Sequence, residues 1–149
     1  MMKTLIVYFS ATGKTEKAAE KLAEITGGEL YEIETRVNYP KSYLGKIFMG
    51  RRELIDRKFP KLIGDVDDFS EYDRVFIGFP IWFGTCPMAV TSFLKTHDFT
   101  GKVVYPFCTS GSSGIAMAVA NIVADCEGDV RDGLRMNSAD EEKILEWIS

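Results

Sequence analysis

The sequence lacks the cysteine and histidine patterns on which metal-bound and disulfide-bonded proteins depend. Its 149 residues contain one histidine, His97, and three widely spaced cysteines, Cys86, Cys108 and Cys126. No Cys-x-x-Cys pair or cysteine–histidine spacing is present, which excludes the usual zinc sites. Because the cysteines are odd in number, a disulfide framework is also disfavoured. We therefore expect no metal site and a location in the reducing cytoplasm.

Long apolar runs and an excess of basic charge are also missing. The first apolar segment, Leu5–Phe9, is too short for the core of a signal peptide, and no other segment approaches the length of a membrane span. The net charge of −4 disfavours nucleic acid as a partner, because no basic stripe is available for phosphates. Basic residues between Lys46 and Lys61 are interrupted by Glu53 and Asp56, and we interpret them as a solvated helix face.

Apolar strand patterns alternate with helical patterns along the chain, and its length fits one domain over residues 1–149. The predicted strands are Thr4–Phe9, Glu29–Glu34, Arg74–Phe79, Lys102–Cys108 and a short one at Val130–Met136. The predicted helices are Lys14–Ile25, one after Pro40, one after Pro87, a fourth and a last one. The fourth has Ile115, Ala118, Val119, Ile122 and Cys126 on one face. This alternation is typical of an α/β fold with helices on both faces of a parallel sheet.

Three local features refine this prediction. The glutamates of the second strand suit a sheet edge, where charge discourages pairing with another chain. Pro106 conflicts with a central strand, which needs its N–H donors, so we expect it near the end of the fourth strand. Ser138 and Glu141 form a capping box that opens the last helix, which we expect to bury Ile144, Leu145 and Ile148.

The residues after the first strand have the composition of a phosphate-binding loop. The segment Phe9-Ser10-Ala11-Thr12-Gly13-Lys14-Thr15-Glu16 lies between a strand and a helix. At such a junction the backbone N–H groups and the positive end of the helix dipole both face an anion. The predicted contacts are hydroxyl groups of Ser10, Thr12 and Thr15, the close backbone at Gly13, and the charge of Lys14. An ordinary capped turn is the alternative interpretation.

Two later loops also follow predicted strands. In Pro80-Ile81-Trp82-Phe83-Gly84-Thr85, two aromatic rings beside a glycine offer a stacking surface, unless they only cap the core. In Thr109-Ser110-Gly111-Ser112-Ser113-Gly114, small residues would let a planar ligand approach the main chain, unless the loop is only flexible. Ligands of open parallel sheets bind outside the carboxyl ends of the strands. Together the three loops predict a site for a mononucleotide that carries a flat ring.

These segments resemble the ligand loops of flavodoxin-like FMN proteins. Ser10–Thr15 is similar to the phosphate loop, Pro80–Pro87 to the first flavin-ring loop and Pro106–Gly114 to the second. The resemblance spans nearly the whole chain and implies a three-layer sandwich whose five-stranded parallel sheet has the order 2-1-3-4-5. It also implies non-covalent FMN. Family loops commonly carry asparagine where Lys14 stands, and the long insertion that splits the last strand of some flavodoxins is absent.

The resemblance divides the predicted FMN contacts into two groups. The phosphate would contact Ser10, Thr12, Gly13, Lys14 and Thr15. The ring would lie between Pro80, Ile81, Trp82, Phe83 and Gly84 on one side and Thr109, Ser110, Gly111 and Gly114 on the other.

The sequence excludes two other interpretations. A Walker A loop needs a glycine five positions before Gly13, where Tyr8 stands, and a response regulator needs acidic residues in the regions of Ser10 and Pro80. Neither ring loop contains a general acid or base, so no catalytic residue is assigned. The favoured hypothesis is an electron carrier between redox partner proteins. The alternative is an FMN-dependent NAD(P)H oxidoreductase that reduces quinones or similar small acceptors.

Overall fold

The computed structural model describes residues 3–10, 13–35, 62–81, 87–109, 115–136 and 141–149. Its strands are β1 Thr4–Tyr8, β2 Glu29–Glu32, β3 Glu34–Thr35, β4 Leu62–Ile63, β5 Arg74–Pro80, β6 Val103–Thr109, β7 Asp129–Val130 and β8 Leu134–Arg135. Its helices are α1 Lys14–Thr26, α2 Met88–Thr96, α3 Ala116–Asp125 and α4 Glu141–Ile148, with a 3₁₀ turn at Phe69–Glu71. The helix predicted after Pro40 and the capping residue Ser138 lie outside the described residues.

The main sheet is parallel and has the order β2-β1-β5-β6-β7, with β8 also beside β6. Counted as one interrupted strand, β7 and β8 make the fifth position, and the predicted order 2-1-3-4-5 is confirmed. The glutamate-bearing β2 lies at the sheet edge, as predicted. A separate antiparallel pair joins β3 to β4.

Helices cover both faces of the sheet because the central strands are apolar on both sides. One core cluster joins Phe76 and Phe107 of the sheet to Leu22 of α1 and Ile144 of α4. The other cluster joins the opposite sheet face to α2 and α3. Successive side chains of a strand point to opposite faces, so the continuous apolar runs of β1, β5 and β6 serve both clusters. The predicted α/β class is therefore confirmed.

A glycine in β5 is required for packing rather than for its backbone angles. A Cβ at Gly78 would overlap the ring of Phe107, which fills that space on the neighbouring strand. Any side chain at this position would displace a fully buried aromatic ring from the core beneath the candidate site.

Two predicted strands are interrupted. The second strand was predicted to reach Glu34, but β2 ends at Glu32 because the chain then turns to pair with β4. At the turn, Ile33 is buried and donates its N–H to the carbonyl of Tyr8 at 2.7 Å. The segment predicted as one strand at Val130–Met136 forms the two short strands β7 and β8, both paired with β6.

The expected position of Pro106 near a strand end is wrong, since Pro106 is the fourth residue of the seven-residue β6. Val103 donates its N–H to the carbonyl of Asp73 on the β5 side, at 3.0 Å. On the opposite side, the carbonyl of Val104 accepts from Arg131 at 2.8 Å. Backbone groups of successive residues alternate between the two neighbouring strands, so the nitrogen of Pro106 faces the same side as Val104. That side is the gap between β7 and β8, where the missing N–H removes no ladder bond.

Of the three residues that the last helix was predicted to bury, only Ile144 is buried. Ile144 is fully buried and Ile148 is half-buried, whereas Leu145 is 50% exposed. A residue follows its predecessor by about 100° around a helix, so Leu145 points away from the stripe that Ile144 and Ile148 share.

Candidate functional site

The carboxyl ends of β1, β5 and β6 meet at one edge of the sheet. Tyr8 lies opposite Gly78, and Pro80 lies opposite Thr109. Beyond the strands, Phe9 donates its N–H to the carbonyl of Gly78 at 2.9 Å, and Ile81 donates to the carbonyl of Thr109 at 3.4 Å. The three loops predicted to bind a ligand therefore leave the sheet side by side.

Ser10 holds the turn between β1 and α1. Its Oγ accepts the backbone N–H of Gly13 at 3.0 Å and, more weakly, that of Glu16 at 3.4 Å. A hydroxyl can accept two hydrogen bonds and donate one, so these contacts leave the proton of Ser10 available to a ligand. The capped-turn interpretation and the phosphate-loop interpretation are thus compatible at this residue.

Gly13 precedes the first residue of α1 with a left-handed backbone, at φ 88°. A Cβ built at this position meets no atom within 4 Å. The backbone conformation, and not the lack of space, is therefore what favours glycine here.

A hydrogen bond joins the first turn of α1 to the end of β6. The Oγ1 atoms of Thr15 and Thr109 are 2.7 Å apart, and both residues are buried. The two residues are 94 positions apart in the sequence, so sequence reasoning had placed them on different parts of the ligand. The structure brings the hydroxyl of Thr109 to the phosphate loop.

Half of the predicted site residues are described. Lys14 is exposed at the start of α1, while Pro80 and Ile81 are half-buried at the end of β5, where Ile81 packs against the core. Ser10, Gly13, Thr15 and Thr109 are placed as given above. The other predicted contacts, Thr12, Trp82, Phe83, Gly84, Ser110, Gly111 and Gly114, lie outside the described residues and stay predictions.

Acidic residues from three elements flank the phosphate loop on the β2 side. Burial raises the pKa of the Glu32 carboxyl above its usual value, and the negative charges of Glu16 and Glu34 act in the same direction. Burial also raises the pKa of Tyr8 to about 12, with further contributions from Glu32 and Glu16. Sequence reasoning missed this acidic flank because α1, β2 and β3 each contribute only part of it.

Neither the histidine nor the described cysteines supply a reactive group at this edge. Burial raises the pKa of the Cys108 thiol to about 11, so the thiol is neutral near pH 7. The chain's single histidine, His97, follows α2 at the opposite edge of the sheet. There it lines a cavity of about 580 Å³ between the ends of α2 and α3, distant from the three strand ends.

The described residues contain neither a cluster of metal ligands nor a membrane-spanning helix. No group of three or more His, Cys, Asp or Glu side chains there could hold a metal ion. No helix among these residues is both long and apolar enough to cross a membrane.

The chain is similar to flavodoxins and other flavoproteins over nearly its whole length. The profile of the family described as Flavodoxin matches residues 3–149. A protein of Bacteroides eggerthii that carries a provisional flavoprotein name is 34% identical, with a TM-score of 0.92 over 99% of this chain and 96% of that one. A flavoprotein of Lactobacillus acidophilus, solved in complex with FMN, is 25% identical, with a TM-score of 0.82 over 100% of both chains.

A curated relative with a named activity is more distant. An NAD(P)H dehydrogenase (quinone) of Paraburkholderia phymatum is 27% identical over 118 residues, which are 79% of this chain and 56% of that protein. The chain therefore spans about half the length of this relative.

Proposed function

The chain belongs to the flavodoxin family, and from this premise we propose that it binds FMN non-covalently and carries electrons between partner proteins. The observation that carries the proposal is the hydroxyl pair of Thr15 and Thr109 at the meeting point of the three strand ends. Two hydroxyl groups have two protons, and their mutual bond uses one. Among the described residues neither hydroxyl has another hydrogen-bond partner, so one buried donor is left for a ligand.

The described residues fit the FMN phosphate. The first N–H groups of α1 have no partners within the helix and face the same edge as the strand ends. Ser10 keeps the turn closed and retains its own proton, and Lys14 adds a positive charge at the first helical residue. Pro80 and Ile81 provide an apolar start to the loop assigned to the ring. When bound, FMN supplies the electron-accepting and electron-donating chemistry through its ring system.

The residues around the site support a carrier more than a reductase with proton-transfer groups of its own. His97 lies at the opposite edge of the sheet, and the Cys108 thiol is buried and neutral. The acidic flank formed by Glu16, Glu32 and Glu34 lies beside the phosphate loop and favours approach by a basic partner surface. The protein would therefore position the cofactor and its partner, and neither His97 nor Cys108 would move a proton at the ring.

The second candidate function is an FMN-dependent NAD(P)H oxidoreductase that acts on quinones or similar small acceptors. Its support is the similarity to the curated quinone-reducing dehydrogenases, which this chain matches over 56% and 46% of their length. In this alternative, NAD(P)H and the acceptor would reach the ring between the loops that follow β5 and β6.

Two successive experiments, on flavin binding and on reduction by NAD(P)H, test the two candidate functions. The purified protein is stripped of flavin and titrated with FMN, and the quenching of flavin fluorescence gives the dissociation constant. Absence of FMN binding would overturn both candidates. The FMN-loaded protein is then mixed anaerobically with NADH or NADPH while the flavin absorbance is followed.

A carrier predicts that the flavin absorbance stays unchanged until a flavodoxin reductase is added, whereupon it bleaches. Rapid bleaching by NAD(P)H alone, with reoxidation by a quinone, would replace the carrier with the reductase. Raising the salt concentration should slow electron transfer from the partner, because the acidic flank then attracts a basic surface less strongly.

A further inference from the structure

Thr109 ends β6 and was predicted to contribute to the wall of the flavin ring. Its side chain is buried, at 6% exposure, and its hydroxyl lies 2.7 Å from the hydroxyl of Thr15 in the first turn of α1. Thr109 therefore makes a direct hydrogen bond to Thr15, a residue of the predicted phosphate loop that is itself only 2% exposed. This contact suggests a different role from that of a ring contact.

The direction of the hydrogen bond follows from counting protons. Each threonine hydroxyl has one proton to donate. If Thr15 gives its proton to an anion at the start of α1, then the proton between the two threonines must come from Thr109. The result is a chain in which Thr109 donates to Thr15 and Thr15 donates to the anion. Bonds in such a chain polarise one another, most strongly where water is excluded.

The hydroxyl of Thr15 needs an external partner to point in one direction. A threonine side chain within a helix divides between two χ1 rotamers. The bond from Thr109 favours the rotamer seen here. Without it, the Thr15 hydroxyl would be free to adopt the other rotamer and turn away from an anion.

We infer that Thr109 is a positioning residue for the phosphate group of the flavin, and that it thereby raises the preference of this protein for FMN over riboflavin. The inference rests on the proposed function in one respect, namely that FMN binds at this edge. It differs from a role in the ring wall, because a ring contact would act equally on FMN and on riboflavin, which has the same ring and no phosphate.

The test compares dissociation constants for FMN and for riboflavin in wild type and variants, measured by quenching of flavin fluorescence. In Thr109→Val, which keeps the shape and removes the hydroxyl, we expect FMN binding to weaken by about fivefold to tenfold, as for a lost hydrogen bond. Riboflavin binding should stay within about twofold, since no bond to its ring is lost. Thr109→Ser, which keeps the hydroxyl, should retain the wild-type preference for FMN.

A double-mutant cycle tests whether Thr109 acts through Thr15. Thr15→Val should weaken FMN binding more than Thr109→Val does, because the hydroxyl that contacts the anion is lost. Adding Thr109→Val to Thr15→Val should then cost no more than about twofold, since the positioned group is absent. Additive losses would show that Thr109 acts independently of Thr15 and would overturn the inference.

Thr4→Val is the matched control. Thr4 is also a buried strand threonine, at 6% exposure, and its hydroxyl accepts a bond from Nε of Arg74 at 3.1 Å. Thr4 lies at the amino end of β1, opposite to the candidate site, so the loss of its hydroxyl should change the affinity for neither flavin. Thermal unfolding of each variant checks that it is folded, and Thr109→Ala, which cannot crowd the site, replaces Thr109→Val if the latter is not.

Each outcome decides the matter. A selective loss of FMN affinity in Thr109→Val or Thr109→Ala supports the inference. Equal losses for FMN and riboflavin, or no loss for either, would overturn it while leaving the proposed function in place. If the wild-type protein binds no FMN, the proposed function itself fails, and the inference fails with it.

Discussion

The amino ends of the parallel strands form one edge of the sheet, the amino edge, and their carboxyl ends form the carboxyl edge. The two edges differ in whether the chain itself supplies hydrogen-bond partners for their polar groups. At the amino edge, Lys3 pairs with Glu71 at 3.0 Å, and its N–H bonds the carboxylate of Asp73. The buried ammonium of Lys102 donates to the carbonyl of Tyr72. At the carboxyl edge, next to the exposed Lys14 and the acidic flank, the buried threonine pair keeps a donor without an acceptor among the described residues.

The difference shows where the fold is stabilised and where it is available for function. Charged groups at the amino edge are satisfied within the chain, so substitutions there should act on stability. Under the proposed function, donors at the carboxyl edge gain their partners from a ligand, so substitutions there should act on affinity. The same separation is general in parallel α/β proteins, whose ligands bind beyond the carboxyl ends of the strands.

The largest expected effect is a loss of stability from a substitution at the amino edge. Lys102→Met keeps the aliphatic stem but removes the donor to the carbonyls of Tyr72 and Ser70. Leaving the buried carbonyl of Tyr72 without this donor should lower the free energy of unfolding by about 2 kcal/mol, measured by urea denaturation. FMN affinity at a temperature where the variant is folded should stay unchanged. A parallel loss of affinity would contradict the separation of the two edges.

A matched pair of glycines sharpens the comparison. Gly13 and Gly101 both have positive φ, at 88° and 80°, and a Cβ at either would meet no atom within 4 Å. Gly13→Ala and Gly101→Ala should therefore each cost about 1–2 kcal/mol of stability through backbone strain. Only Gly13→Ala, at the carboxyl edge, should also weaken FMN binding, by about tenfold, or about 1.4 kcal/mol. Equal FMN affinities in the two variants would remove Gly13 from the site.

A smaller effect concerns the exposed cation of the phosphate loop. Lys14→Ala should weaken FMN binding about twofold to fivefold at low salt and leave the absorption spectrum of the bound ring unchanged. The effect should fade as salt is added. Lys17→Ala, which removes an equally exposed charge one turn further along α1, is the control. An equal loss in both variants would indicate a general effect of net charge rather than a contact with the phosphate.

The smallest expected effect is a pH dependence away from the carboxyl edge. The hydrogen bond from His97 holds the pKa of Asp65 below its usual value of 3.8, with help from the N–H of Val66. Because the pKa is lowered on folding, this stabilisation is present above about pH 4 and is lost as pH falls through the folded-state value. The carboxylate is 73% exposed, so we expect less than about 1 kcal/mol.

Asp65→Asn tests this sign. The free energy of unfolding of the variant should be slightly below that of wild type near pH 5, and the two should converge as pH falls below the folded-state pKa of Asp65. FMN affinity should be the same in both proteins. A difference that grows toward low pH would mean that the assigned cause is wrong.

The sequence alone was sufficient for the elements of the core and for the sheet edge at which the three predicted ligand loops begin. Apolar runs such as Arg74–Phe79 and the helical spacing after Gly13 predicted strands and helices within one or two residues of their observed ends. The gathering of the loops followed from the parallel sheet, which brings all carboxyl ends to one edge. The errors occurred where neighbours decided the outcome. Pro106 lies in mid-strand because its nitrogen faces the gap between β7 and β8.

By itself the sequence determined the α/β class, the phosphate-loop composition and the absence of a second histidine, because periodicity and residue counts are local properties. Only the tertiary structure decided which side chains meet. It joined Thr15 to Thr109, gathered the acidic flank from three elements and placed His97 at the far edge. The physical reason is that a hydrogen bond or a charge interaction depends on a separation of a few ångströms in space. Residues 94 positions apart acquire that separation only when the sheet has formed.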